Sequence, residues 1–188
     1  MLAAPMSNFS ASGSTARAGQ SEKARETVQA HTLIALVQDR TGAVDRVVGL
    51  MRRRRANMQT LVLGRSEVDD VVRVTVGVDD SEVAVEHLVE QLRKILDVRN
   101  VINIPEQEAI SRELALIKVA YTPAQKTEIF EIAQLFSAHV VDVAAETMTL
   151  EVSGSTARVE KCVAQLNPYG IREVARSGRV TMARGTND

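Results

Sequence analysis

Thr32-Leu-Ile-Ala-Leu-Val37, then Gln38-Asp-Arg-Thr41, Gly42 and Ala43-Val-Asp-Arg-Val-Val-Gly-Leu-Met51, is the stretch that decides how this chain folds. Thr32 to Val37 carries no charge and reads as a buried strand. Past the turn, Val44, Val47, Val48 and Met51 fall at i, i+3, i+4 and i+7, one face of a helix that ends before Asn57. A glycine at a helix start lets backbone N–H groups come close to a ligand, and the first helical turn offers unpaired donors to an anion. Asp39, just upstream, can accept from a cation. A carboxylate and an ammonium held side by side describe a free amino acid. The same residues also fit a plain strand-to-helix connection capped by Asp39 or Thr41.

The helical template recurs at Val85/Leu88/Val89/Leu92, Ile129/Ile132/Ala133/Phe136 and Val159/Cys162/Val163/Leu166. Between the helices lie β-branched runs at 57–64, 71–78, 98–104, 114–121, 139–143, 147–152 and 171–182. The order is strand, helix, strand, strand, helix, strand, and then the same again at an offset of about 80 residues. This predicts an α+β chain of two ferredoxin-like βαββαβ modules, with antiparallel sheets and helices on one face. Val72, Val74, Val76 and Val78 alternate with Arg73, Thr75 and Gly77, which suits a strand buried on one face only. The division expected is a disordered tail at 1–30, modules at 31–105 and 112–188, and a linker at 106–111 that opens on Glu106-Gln-Glu108 after Pro105. Thr122-Pro-Ala-Gln125 and Asp79-Asp-Ser-Glu82 look like helix starts.

Composition excludes several function classes. The 188 residues are 45% apolar with a net charge of −1, enough for a core and without the basic field of a general nucleic-acid binder. The βαββαβ order is shared with RNA-recognition modules, but those stack bases on sheet aromatics, and the runs 57–64 and 71–78 contain none. Cys162 is the single cysteine and falls on an apolar helical stripe, where a buried inert thiol is expected. His31, His87 and His139 are scattered, giving no metal-ligand spacing, and nothing pairs a nucleophile with a base. Catalysis by this chain is therefore not expected, nor is a membrane span, and a single cysteine suits a reducing, cytoplasmic setting. Arg52 to Arg55 reads as a solvated, dipole-compensating helix end, favoured over a docking patch for phosphate or an acidic partner because no aromatics flank it.

Three motifs carry a resemblance. Leu36 to Met51 with Arg54-Arg-Ala-Asn-Met58 and Leu61, then Ser111-Arg-Glu-Leu-Ala-Leu-Ile-Lys118, then Glu173-Val-Ala-Arg-Ser-Gly178 with Arg184-Gly185, resemble in matching order the regulatory small subunit of acetohydroxyacid (acetolactate) synthase. The resemblance covers His31 to Gly185 and makes the first module an ACT domain. It implies a non-catalytic subunit that activates a large catalytic subunit and confers feedback inhibition by a branched-chain amino acid, typically valine, in branched-chain amino-acid biosynthesis. Thiamine diphosphate, Mg and FAD are then expected on the catalytic partner and no cofactor on this chain. ACT domains of the family pair side by side, which implies a homodimer or higher homo-oligomer. They bind the effector between chains, so Asp39, Gly42, Ala43 and Val44 of one chain are expected to meet Asn57 and Met58 of another. Departures from the family pattern are Gln38, Asp39, Asp45, Arg55 and Ala56; Asp45 would repel a ligand carboxylate. A stand-alone ACT-type amino-acid sensor is the alternative reading.

Overall fold

The computed structural model describes residues 30–79 and 84–185. The first unit runs β1 (Ala30–Gln38), α1 (Ala43–Arg53), β2 (Asn57–Arg65), β3 (Val71–Asp79), α2 (Val85–Arg93) and β4 (Val98–Pro105). The second runs β5 (Ala109–Ala120), α3 (Lys126–Leu135), β6 (His139–Val143), β7 (Thr147–Gly154), α4 (Thr156–Leu166) and β8 (Ile171–Arg176), followed by β9 (Val180–Ala183). The sheets are ordered β2-β3-β1-β4 and β6-β7-β5-β8, with antiparallel neighbours throughout. The second order is the first with every strand replaced by its counterpart. Both units are ferredoxin-like, and the sequence repeat is a repeat in space.

Helical periodicity dictates which face of each sheet is covered. Ala43, Val47 and Met51 of α1 and Val85, Leu88, Val89 and Leu92 of α2 close over Leu33, Ala35, Val37, Val74, Val76, Val78 and Val101. Ile129 and Ala133 of α3 and Val159, Cys162 and Leu166 of α4 do the same over Ala115, Ile117, Val119, Met148, Leu150 and Val152. Each large aliphatic side chain so buried contributes about 1.5–3 kcal/mol. Thr122 begins α3's entry turn as expected, its backbone N–H donating to Gln125 Oε1 at 3.0 Å.

Several expectations change. The run 171–182 is two strands, β8 and β9, because the chain turns at Ser177-Gly178 and Gly178 takes φ 76°. β9 leaves the β8 line and pairs the start of β5, from Ala109↔Ala183 to Arg112↔Val180. β5 therefore begins at Ala109, so half of the segment read as a linker is strand. β3 is not buried on one face only: Thr75 and Gly77, on the face away from the helices, are buried as well. The β5–β9 ribbon covers them, a contact between residues about a hundred apart that no local periodicity records. The tail up to residue 29 and the cap candidates Asp80, Ser81 and Glu82 lie outside the described residues.

The repeat extends to the helix ends. After α1, Ala56 N–H donates to Met51 O and Arg55 N–H to Arg52 O, both at 3.0 Å; after α3, Ala138 N–H donates to Ala133 O at 2.7 Å and Ser137 N–H to Gln134 O at 3.0 Å. These are Schellman closures with a left-handed residue, Arg55 at φ 55° and Ser137 at φ 47°. A left-handed L-residue costs about 1–2 kcal/mol, partly offset on replacement by the entropy of glycine. Arg55→Gly should therefore stabilise the chain by about 0.5–1 kcal/mol, raising Tm by about 1–4 °C in a thermal melt. An unchanged or lower Tm would show that the Arg55 side chain repays its backbone strain.

Candidate functional site

Two backbone anchors set the turn after β1. Gln38 N–H donates to Asp97 O and Asp39 N–H to Asp70 O, both at 2.8 Å. Arg40 N–H returns to Gln38 O at 2.8 Å and Ala43 N–H to Arg40 O at 3.0 Å, which closes the turn onto α1. Gly42 sits at φ 78°, ψ 0°, a left-handed position that glycine takes without strain. No side chain caps α1, so Asp39 and Thr41 are not engaged as caps. Asp39 is exposed at the rim, Val44 is half-buried and Ala43 is fully buried in the core. The N–H of Ala43 is already spent on Arg40, whereas those of Gly42 and Val44 have no acceptor among the described residues. The donors offered to an anion are thus the amides on either side of Ala43, with the exposed Asp39 three residues before Gly42.

The turn has a brace that the sequence did not reveal. Arg46 Nε and Nη2 reach Asp97 Oδ2 at 2.7 and 2.6 Å, and Asp97 is buried. Nothing in either local sequence pattern links these positions, 51 apart. The pair fixes the first turn of α1 to the loop whose carbonyl holds Gln38.

Asn57 and Met58 open β2. Asn57 Nδ2 donates to Asp79 Oδ2 at 2.7 Å, and Gln59 Nε2 donates to the same oxygen at 3.1 Å. Met58 is half-buried against the first core, and the β2–β3 register shifts between Met58 and Thr60. On β3, Val71 faces Gln38 and Asp79 faces Asn57. The two groups of site residues therefore lie at opposite ends of one strand, about 26 Å apart at 3.3 Å per residue. One chain brings Asp39, Gly42, Ala43 and Val44 together, and Asn57 with Met58, but does not bring the two groups together. β2 is an edge strand, and its Leu61 and Leu63 are 42% and 51% exposed.

Cys162 is fully buried, and burial pushes its thiol pKa up. His87 and His139 are exposed, and His31 Nδ1 lies 3.1 Å from Asn103 Oδ1. Among the described residues no group of three His, Cys, Asp or Glu is placed to hold a metal, and no helix is long and apolar enough to cross a membrane. Arg52 to Arg55 are exposed, with Arg54 donating to Gln91 Oε1 at 3.1 Å. A cavity of about 400 Å³ lies away from the turn, where β1, β5, the residues flanking β9 and the start of α4 meet; Arg112, Arg179 and Arg184 line it together with Glu106 and Glu160.

Comparison with known proteins finds matches for both units. Residues 33–100 match a family model described as the AHAS small subunit-like ACT domain, and residues 112–185 match one described as the small subunit of acetolactate synthase. The acetolactate synthase small subunit of Mycolicibacterium smegmatis is 41% identical over 155 residues, 82% of this chain and 91% of that protein. That of Bacillus subtilis is 40% identical over 151 residues, 80% of this chain and 88% of that protein. The crystal structure of the Thermotoga maritima small subunit superposes with a TM-score of 0.78 at 29% identity, covering 85% of this chain and 99% of that one.

The Arg46 brace makes a testable claim on the turn. Asp97→Ala should cost about 1–2 kcal/mol in urea unfolding, since Arg46 is half exposed and can return to water. Amide exchange at Gln38 and Asp39 should rise with it. A variant of unchanged stability and unchanged exchange would rule out the brace.

Proposed function

The chain belongs to the acetolactate synthase small-subunit family, whose members are non-catalytic regulatory subunits, and we propose that its first module senses a branched-chain amino acid, valine foremost, at a site completed by a second copy. The observation that carries this reading is the split of the site residues between opposite ends of β3. A site divided in that way is assembled when two edge strands pair antiparallel about a two-fold axis. With β2 against β2 and Leu61 at the centre, Asn57 of each chain comes level with Arg65 of the other, the end of the sheet at which Asp39 and Gly42 sit. The exposed Leu61 and Leu63 supply apolar area for that contact, and an unpaired edge supplies the backbone donors and acceptors.

In this pocket Asp39 accepts from the ligand ammonium, and the amides of Gly42 and Val44 donate to its carboxylate. Ala43 acts from behind, setting the helix by its buried methyl. Val44 and the partner copy's Met58 form the apolar wall for a small branched side chain, and the partner copy's Asn57 donates or accepts at the rim. Asp45, exposed in the first turn of α1, lowers affinity by repelling the carboxylate. The chemistry of the synthase resides in the catalytic large subunit, with thiamine diphosphate, Mg and FAD there. This chain raises that subunit's turnover and lowers it when the effector binds.

Three outcomes follow. Calorimetric titration of the folded chain with valine, leucine and isoleucine should give saturable heat below millimolar ligand; none at millimolar concentration removes the sensing role. Adding the chain to its cognate catalytic subunit should raise turnover severalfold, and unchanged turnover removes the activating role. Gly42→Asp should abolish effector inhibition and leave the dimer intact, since it puts a negative side chain where the carboxylate approaches. Gly42→Asn, which tolerates the left-handed backbone, should retain part of the response. Undiminished valine inhibition in the Asp variant would contradict the pocket.

A further inference from the structure

We infer that Arg179, carried on the turn between β8 and β9, is a positioning residue that couples the start of β2 to the second module. The inhibition arm of its test rests on the effector reading above; the exchange arm does not. The open face of the first sheet holds Thr32, Ile34, Thr75 and Gly77, and Ile34 is fully buried although no helix covers it. What lies there is the β5–β9 ribbon and its turn. Arg73 Nη2 of β3 donates to Thr181 O at 2.8 Å, and the fully buried Thr181 shares a 2.8 Å hydrogen bond with Ser111 Oγ of β5.

The turn meets β2 and β3 in their middle and toward the Asn57 end. A Cβ placed on Gly77 would lie 2.6 Å from Arg179 Nη2 and 2.6 Å from Thr60 Oγ1, and one on Gly178 would lie 2.7 Å from Val62 Cγ2. Thr60 follows the register shift at Gln59, and Asp79, the acceptor from Asn57 and Gln59, is two residues past Gly77. A change in the Asn57 end of β2 therefore displaces the atoms on which the Arg179 guanidinium rests. The backbone that carries Arg179 is tied to the second sheet. Ser177 N–H donates to Leu114 O and Leu114 N–H to Ser177 Oγ, both at 3.0 Å. The next pair, Arg176 Nε to Glu113 Oε1 at 3.5 Å, is formed with a buried carboxylate. β5 is the central strand reached by these bonds, shared by the ribbon and the second sheet. The line Asn57, Asp79, Gly77/Thr60, Arg179, Ser177, β5 thus runs from one module to the other through hydrogen bonds, two-residue steps along the chain and the close approach of Arg179 to Gly77.

Two measurements on the full chain test this. In the complex with the catalytic subunit, Arg179→Ala should bind valine within threefold of wild type and activate normally, while the valine concentration for half inhibition rises at least tenfold. Gly77→Ala, which displaces the guanidinium and leaves Arg179 in place, should do the same more weakly, and Arg179→Lys should recover part of the loss. Wild-type inhibition in Arg179→Ala overturns the inference, and so does a parallel loss of binding and inhibition, which marks a merely structural role. Ligand-free hydrogen–deuterium exchange provides the second measurement. Asn57→Ala should speed exchange across residues 171–179 at least threefold in the chain with Arg179 and not in Arg179→Ala. If neither background responds, or both respond equally, the coupling is absent whatever the effector. Lack of valine binding by the wild-type chain would overturn the effector reading alone, and the exchange result would still decide the coupling.

Discussion

A four-stranded sheet with both helices on one side has a second side, and in this chain that side is apolar at Ile34 and without bulk at Gly77. Water on Ile34 would forfeit about 1.5–3 kcal/mol of burial. The C-terminal ribbon removes that cost by lying across the face, which is why the chain returns after β8 to a module that it left some seventy residues earlier. Much follows from this one contact. β5 has to be long enough to serve the second sheet and the ribbon. Gly178 has to take the left-handed turn that redirects the chain, and Arg73 points at a backbone carbonyl of the C-terminal strand. The two repeated modules are consequently one connected unit rather than beads on a linker.

Effector geometry follows from a second constraint, the fixed rise of a strand. Asp39 and Asn57 are separated by the length of β3, and no side-chain motion spans about 26 Å. If both contact one amino acid, the contact is between copies. The regulatory and dimeric proposals therefore stand or fall together: an effector held across an interface is sensitive to how the two copies sit.

The parts of this fold that were legible in the sequence are those governed by local period. The amphipathic stripes sit on the core side as read, down to Cys162, except in α1, where Val48 stands outside the core and Ala43 takes a place in it; the strand at Thr32 is buried because its residues are apolar. The Gly42 turn was legible because a left-handed backbone selects glycine. Long-range contacts were not legible. Thr75 and Gly77 looked like a solvated face because the ribbon that buries them comes from residues about a hundred positions later. The segment from Ile171 to Met182 looked like one strand because composition does not reveal where pairing partners change. Asp97 was invisible as a brace, since a buried aspartate and a half-exposed arginine have no periodicity. Arg55, at odds with the family pattern, marks a left-handed helix end at which glycine would fit better.

Subunit mixing tests the central claim, an effector pocket shared between two copies, most directly. One chain carries Gly42→Asp and the other Asn57→Ala, each abolishing the valine response as a homodimer. After exchange, a heterodimer contains one doubly damaged pocket and one with the wild-type residue at both positions. The account predicts that valine binding returns at about a quarter of all pockets in an equimolar, fully exchanged mixture. If the heterodimers form and no binding returns, the pocket is not shared between copies and the account is wrong.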